Sequence, residues 1–330
     1  MPKKQEERKL LIITPSPHIK SRADTRKVMW TTALSLLPPV VAGVYFFGFH
    51  ALLLIIVCVV SAVASEWLFL KARNKDTSAA FDGSAVITGI LLALVLPPKL
   101  PLWMGAVGAA FGIIFGKQVF GGLGYNIFNP ALIGRAFLMA AFPVALTTWV
   151  KPFYWRFPPD AITTATPLAL AKFSHQMTPY LKLFWGNVGG SIGETSAFAI
   201  LIGGGFLIAR KIIDWTLTAS YVGTVFVLGG ILWLINPQKY PDPLFHVLAG
   251  GLLLGAFYMI TDLVTSPLTR KGRIAYGILA GILVIIIRLW GGYPEGVMFS
   301  ILIANAFRPW IDRIFVPRRF GTGKRPGGKR

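Results

Sequence analysis

Long apolar runs, separated by short clusters of Gly, Pro and charged residues, dominate the pattern of this chain. Many of the runs reach or approach the ~20 residues that cross a bilayer as a helix. The predicted helices cover residues 28–47, 51–70, 84–97, 102–119, 129–146, 196–209, 216–235, 244–262, 274–290 and 296–315. So many apolar runs cannot share one soluble core, and the pattern predicts an all-α polytopic membrane protein with about ten transmembrane helices.

The basic residues fix a predicted orientation for these helices. With both termini in the cytoplasm, 25 of the 33 Lys and Arg residues fall in inside segments and six in outside loops. This bias is what the positive-inside rule predicts for a prokaryotic cytoplasmic membrane. It also accounts for the net charge of +20 without nucleic acid, because the charges form no basic face. We expect no cleaved signal peptide.

A weak internal repeat divides the predicted helices into two sets of five. An offset of 170 residues aligns Pro97 with Pro267 and Gly121-Gly122 with Gly291-Gly292. Because each half has an odd number of spans, the halves would be inverted in the membrane, with interrupted helices near 82–98 and 252–267 building a central pathway. The predicted units are a basic cytoplasmic segment (1–27), a first repeat (28–146), an external loop (147–195), a second repeat (196–315) and a basic cytoplasmic tail (316–330).

A few ionisable residues lie within or beside the predicted spans. Charge at membrane depth is costly and often functional, and Asp262, among hydroxyl residues in an interrupted helix, is the candidate for an ion pathway. For Glu66, Asp82 and Arg288 we expect snorkelling or pairing near the membrane interfaces. The single cysteine, Cys58, lies in an apolar run and can form neither an internal disulfide nor a metal site alone.

The segment GGLGYNIFNPALIGRAF (121–137) predicts a tight inside loop that enters a helix. Asn129 is a predicted N-cap before Pro130. Asn126 and Asn129 also offer amide groups on which a polar heterocycle could dock, and the residues alone leave the two interpretations open.

The external loop contains DAITTATPLALAKF (160–173), a hydroxyl-rich cluster in a mostly apolar chain. Thr166 is a predicted N-cap and Pro167 the first residue of a helix. Capping explains only one of the three hydroxyls. The start of a helix is also an anion site, so capping and phosphate binding are compatible.

Residues 160–166 are similar to the flavinylation signal D-x-x-(S/T)-G-A-T, with Thr164 where Gly is usual. The segments GYNIFNPALIGRAF (124–137) and FDGSAVITGILLALVLPP (81–98) resemble the same family. It comprises the D-type membrane subunits of Rnf electron-transport complexes and the related B-type membrane subunits of sodium-pumping NADH:quinone oxidoreductases. The short segment before the first helix favours the Rnf side of the family.

The resemblance implies that a flavin transferase joins FMN to Thr166 through a phosphoester on the external side. The signal would comprise Asp160, Thr163, Thr164, Ala165 and Thr166. It also implies a noncovalent riboflavin, for which Asn126 and Asn129 are the candidate contacts. The chain would pass electrons between ferredoxin and NAD, coupled to Na⁺ or H⁺ movement, with other subunits of the complex.

The chain has no CxxC cluster, Rossmann glycine fingerprint or Walker loop. We therefore expect no catalytic residues or metal site of its own, and no complete reaction by the isolated chain. A secondary transporter or channel is the competing hypothesis, because inverted repeats and an intramembrane Asp would suit one equally. The Thr cluster separates the two, since a transporter does not need it.

Overall fold

The computed structural model describes residues 24–156 and 163–317, and its regular elements in those ranges are helical apart from one antiparallel bridge between Val150 and Thr163. The prediction of an all-α chain is therefore confirmed for this part of the sequence. The predicted units 1–27 and 316–330 lie mostly outside the described residues.

The first half contains seven α-helices and a π-helical turn at Ile114–Gln118. The helices are α1 (Thr25–Ser35), α2 (Leu37–Phe47), α3 (Phe49–Ala72), α4 (Ser84–Leu94), α5 (Leu102–Ile113), α6 (Pro130–Ala141) and α7 (Pro143–Thr147).

The long connection contributes α8 (Pro167–Ser174) and α9 (Tyr180–Trp185). The second half then contributes six more helices and a π-helical turn at Gly255–Met259. They are α10 (Ala197–Ala209), α11 (Trp215–Ile235), α12 (Pro243–Leu248), α13 (Leu252–Leu254), α14 (Arg270–Trp290) and α15 (Val297–Ile314).

Four helical segments in the described residues are long and apolar enough to cross a membrane. They are Thr25–Phe47, Phe49–Ala72, Trp215–Ile235 and Arg270–Trp290. Other predicted spans contain shorter apolar helices, such as the 11-residue α4. The chain is thus a membrane protein with several spanning helices, and α4 and α6 are shorter than the spans that the sequence pattern predicts.

The predicted helix 244–262 is not continuous. Helix α12 ends at Leu248, and Gly250 adopts a left-handed φ of 70° before α13 begins. A Cβ atom on Gly250 would lie 2.6 Å from Leu168 Cδ1. The break therefore makes room for α8, so that the long connection packs into the helical body at this point.

Two groups of helices form most of the core. Helix α3 packs against α4 and α5, and α11 packs against α14. Contacts between α6 and α15 join the two halves of the sequence. Cys58 is a free, fully buried thiol in the first group, as the sequence predicted.

Candidate functional site

The hydroxyl cluster of the long connection is held by backbone hydrogen bonds on one side and by a helix on the other. Thr163 forms the bridge with Val150, and the Thr164 amide donates to the Trp149 carbonyl at 3.1 Å. Thr166 then begins α8, and its Oγ1 accepts from the Ala169 amide at 3.2 Å. The predicted N-cap is confirmed, with Pro167 as the first helical residue. Asp160 lies outside the described residues.

Gly189 compensates for the residue that departs from the flavinylation pattern. Thr164 Cγ2 lies only 2.3 Å from the position that a Cβ on Gly189 would occupy. No real Cβ contact is that short, so a side chain at 189 and the threonine at 164 cannot both keep their places. The side chain of Thr164, which the usual glycine would not have, therefore fits because residue 189 in the neighbouring segment is a glycine.

A cavity of about 700 Å³ opens beside the hydroxyl cluster. Small-molecule sites usually measure roughly 300–1,000 Å³ and are mostly apolar with a few polar groups. All four described residues of the cluster, from Thr163 to Thr166, line it. Its other walls include Leu168, Met298, Phe299, Arg135, Glu194 and Glu295. The cavity has the size and the mixed lining that are typical of small-molecule sites.

Helix α8 is fixed to the second half of the chain, which sets the position of its first residue. The Lys172 ammonium donates to the Gly291 carbonyl at 2.5 Å, and burial lowers the pKa of Lys172. At the other end of the helix, Leu168 packs against the break at Gly250. These contacts hold Thr166 at the rim of the cavity.

Three charged side chains form the polar end of the cavity. The Arg135 Nη2 atom donates to Glu295 Oε2 at 2.8 Å, and Arg135 Nη1 lies 3.6 Å from Glu194 Oε1. Neither glutamate was among the ionisable residues singled out from the sequence. Each glutamate lies one or two residues before a predicted span, at 196 and at 296, so the search for ionisable groups beside the spans could have found them.

A second, much smaller cavity brings together the other candidate residues. Asn126, Asn129 and Asp262 line it with a volume of about 80 Å³. Asp262 accepts from the Thr265 hydroxyl at 3.2 Å in the turn after the π-helical segment. The sequence did not predict that the GYNIFNP loop and the interrupted helix of the other half would meet.

Three of the four side-chain amide atoms of Asn126 and Asn129 have hydrogen-bond partners among the described residues. Asn129 Oδ1 accepts from the Ala131 amide at 3.0 Å, which confirms the predicted N-cap, and its Nδ2 donates to the Met259 carbonyl at 3.3 Å. Asn126 Nδ2 donates to the Phe128 carbonyl at 3.2 Å. A volume of 80 Å³ is well below that of sites for drug-sized ligands. Riboflavin does not fit this cavity in the described arrangement.

Glu66 is buried and paired, which is one of the two alternatives expected for it. Its carboxylate accepts from Lys117 Nζ at 2.6 Å and from Gln118 at 2.8 Å. The sequence pattern assigned Lys117 to an inside loop, but the π-helical turn Ile114–Gln118 carries this lysine into the protein. Lys117 also donates to the Ser84 hydroxyl at 2.6 Å.

Asp82 and Arg288 also have defined hydrogen-bond partners in the structure. Asp82 is half-buried and accepts from the Ser84 amide at 2.7 Å, at the start of α4. Arg288 is buried and donates to the carbonyls of His246 and Ala249, where the chain breaks after α12. Of the two alternatives expected for Arg288, snorkelling or pairing, its contacts show pairing, with carbonyl groups at the helix break.

Comparison with known proteins gives consistent results over nearly the whole chain. A family model described as "NQR2, RnfD, RnfE family" matches residues 12–321. The chain is 44% identical over 98% of its length to the D-type subunit of the proton-translocating ferredoxin:NAD(+) oxidoreductase complex of Clostridium ljungdahlii, covering 99% of that protein. It is 44% identical over 95% of its length to the D-type subunit of the Na(+)-translocating ferredoxin:NAD(+) oxidoreductase complex of Acetobacterium woodii, covering 96% of that protein.

A more distant relative has a less specific name. The chain is 37% identical over 94% of its length to the D-type subunit of the ion-translocating oxidoreductase complex of Alcanivorax borkumensis, covering 97% of that protein. Family model and relatives thus agree across both halves and the long connection. The chain belongs to the NQR2, RnfD, RnfE family.

Proposed function

We propose that this chain is the D-type membrane subunit of an ion-translocating ferredoxin:NAD⁺ oxidoreductase complex, and that it carries FMN esterified to Thr166. The observation that carries the proposal is the position of the motif: its four described residues line one cavity of about 700 Å³. The names of the relatives support the membership of a complex.

The Thr166 hydroxyl suits a phosphoester. In its cap hydrogen bond the oxygen is the acceptor from the Ala169 amide, so this bond does not use the hydroxyl proton. An ester at this oxygen would place a phosphate at the N-terminus of the eight-residue α8, where free amides and the helix dipole favour negative charge. Leu168, Met298 and Phe299 would provide apolar walls for the ring.

FMN supplies one- and two-electron redox chemistry when it is bound, and the protein positions it. In this chain, α8 fixes the attachment point and the arginine and glutamates supply charge at the polar end of the cavity. Electron transfer to and from NAD and ferredoxin would need sites on other subunits. The chain alone would not complete a reaction.

The direct test is labelling of the chain when it is produced with a flavin transferase. The denatured wild-type protein should fluoresce as a flavin on a gel, and Thr166→Asn should not. Asn is the sharper substitution because it keeps a capping side chain but removes the hydroxyl. Thr148→Ala, which changes another cavity threonine outside the motif, should keep the label.

An unlabelled wild-type chain produced with an active transferase would contradict the flavin proposal. The competing function, a secondary transporter or channel, would then gain support. A label that persists in Thr166→Asn would place the flavin on a different residue.

We further propose that the apolar segments form ten spans in two inverted repeats, with both termini cytoplasmic and residues 147–195 outside. The repeat offset is consistent with the packing of α6 against α15, since Arg135 and Asn305 are equivalent positions on these helices. The chain has a single cysteine, so a Cys58→Ala background allows site-directed labelling. In sealed right-side-out vesicles, a membrane-impermeant maleimide should label Ser174→Cys and spare Lys75→Cys. The reverse result would overturn this topology.

The smaller cavity supports less specific proposals. A riboflavin contact at Asn126 and Asn129 would need a wider site than the present 80 Å³, so the rest of that site would have to come from a rearrangement or another subunit.

For Asp262 we propose a place on an ion pathway. In the assembled complex, Asp262→Asn should lower ion uptake more than electron transfer, and loss of neither would return Asp262 to a structural role. Relatives of equal identity are named for protons and for Na⁺, so similarity does not select the ion.

A further inference from the structure

The two glutamates at the polar end of the large cavity approach each other closely. Glu194 comes from the segment before α10 and Glu295 from the segment before α15. A Cβ atom on Gly251 would lie 2.7 Å from an Oε1 atom of each carboxyl group. The two groups therefore meet over the backbone of Gly251, where a larger residue would force them apart.

The two glutamates differ in how many hydrogen bonds their carboxyl groups receive. Glu295 Oε1 accepts from the Gly251 amide at 3.1 Å, and its Oε2 accepts from Arg135 at 2.8 Å. Glu194 Oε1 is buried without a hydrogen-bond partner among the described residues, and 3.6 Å separates it from Arg135 Nη1. The Glu194 side chain is only 7% exposed. An ionised carboxylate in that place would be poorly compensated.

The charged and titratable groups that face Glu194 and Glu295 come from several helices. Arg135 is on α6, Arg288 on α14 and the Tyr221 hydroxyl on α11. Burial and the neighbouring Glu295 carboxylate raise the pKa of Glu194 well above its usual range. For Glu295, burial opposes ionisation, but Arg135 and hydrogen bonds outweigh it and lower its pKa. Two carboxyl groups this close cannot easily both ionise.

We propose that Glu194 and Glu295 hold one proton between them and form a proton-exchange site that opens on the cavity beside Thr166. The pair supplies its proton to a base in the cavity, by breaking the carboxyl O–H bond, and then carries two negative charges opposite Arg135 and Arg288. Water at the cavity mouth, near the exposed Gly292 and Tyr293, returns a proton. No electron passes through the carboxyl groups.

The identity of that base rests on the proposed function, but the shared proton does not. A flavin ring gains basicity when it receives electrons, and these would come from one-electron carriers on other subunits. One proton from the pair would offset one unit of the added negative charge. The arrangement would thus link the charge in the cavity to proton exchange with the side of the membrane on which the cavity opens.

Infrared spectroscopy of the purified chain tests the shared proton. The band of a protonated carboxylic acid should be present near neutral pH and should decrease to the same extent in Glu194→Gln and in Glu295→Gln. The equal loss is diagnostic. In Glu194→Gln, Glu295 keeps its bond to Arg135 and stays ionised. In Glu295→Gln, the neighbouring negative charge is gone and Arg135 is free to pair with Glu194, which should then ionise. Asp214→Asn, which changes a part-exposed carboxylate paired with Arg273, should leave the band unchanged. A band that is undiminished in either glutamine variant, or that the wild type lacks, would overturn the proposal.

A second comparison separates this proposal from the proposed function. The pH at which the band disappears should differ between the flavin-loaded wild type and the flavin-free Thr166→Asn chain, and it should shift again when the loaded flavin is reduced. An unlabelled wild type that still shows equal band loss in both glutamine variants would refute the flavin and keep the proton site. A labelled chain whose band ignores flavin reduction would keep the flavin and refute the link.

Discussion

The cavity beside Thr166 and the smaller cavity at Asn129 have similar kinds of residues in opposite arrangements. The cavity beside Thr166 is large, and its polar end contains a buried carboxylate oxygen without a hydrogen-bond partner among the described residues. In the smaller cavity the Asn129 amide is bonded on both sides, and Lys117 is paired with Glu66 and Ser84. Satisfied polar groups stabilise a fixed structure, whereas unsatisfied ones beside open volume indicate a place for a ligand.

Breaking the ion pair beside the smaller cavity should have the largest effect on stability. Glu66 and Lys117 are each 2% exposed, so Lys117→Met leaves a buried carboxylate without its counter-charge. Loss of one partner of such a pair costs about 3–5 kcal/mol. Thermal unfolding in detergent should show a clearly lower midpoint for Lys117→Met. The double variant Glu66→Gln/Lys117→Met should recover much of the loss, and no recovery would mean that the pair is not the cause.

Crowding the loop beside the larger cavity should affect labelling more than stability. Gly189→Ala places a methyl group against Thr164 Cγ2, 2.3 Å away before any shift. The hydroxyl cluster must then move, and the yield of covalent flavin should fall several-fold. The double variant Gly189→Ala/Thr164→Gly, which restores the usual glycine of the motif, should recover the yield. Gly190→Ala is the matched control, because nothing lies within 4 Å of a Cβ at that position.

The cap of α8 should give the smallest effect. Thr166→Ala removes both the hydroxyl and the hydrogen bond to the Ala169 amide, whereas Thr166→Asn removes only the hydroxyl chemistry. Loss of an N-cap costs about 1 kcal/mol. Thr166→Ala should therefore unfold at a slightly lower temperature than Thr166→Asn, although we expect neither variant to carry flavin. Equal midpoints would show that the cap contributes little to stability here.

The sequence could predict the features that depend on local order. Hydrophobic runs located α3, α11 and α14 within a few residues, and capping rules located Thr166 and Asn129 as helix starts. These signals are written in neighbouring residues, so no tertiary information is needed. The motif resemblance likewise used contiguous residues.

Features that depend on distant contacts could not be predicted. The break after Leu248 leaves space for the Leu168 side chain at Gly250. The side chain of Thr164 fits only because residue 189 is a glycine. The pairing of Arg135 with Glu194 and Glu295 joins residues that are 59 and 160 positions away along the chain. Lys117 was assigned to a loop because a hydropathy pattern cannot show that a π-helical turn will carry a lysine inward to meet Glu66.

The proposed function depends above all on a covalent flavin in the cavity beside Thr166. The most direct measurement is mass spectrometry of the intact chain and of its peptides after production with a flavin transferase. Esterification of Thr166 predicts a mass increase of one FMN less one water, located on the peptide that contains Thr166 and absent from Thr166→Asn. An unmodified Thr166 peptide from the wild-type chain, made beside a transferase shown to be active on another substrate, would contradict it.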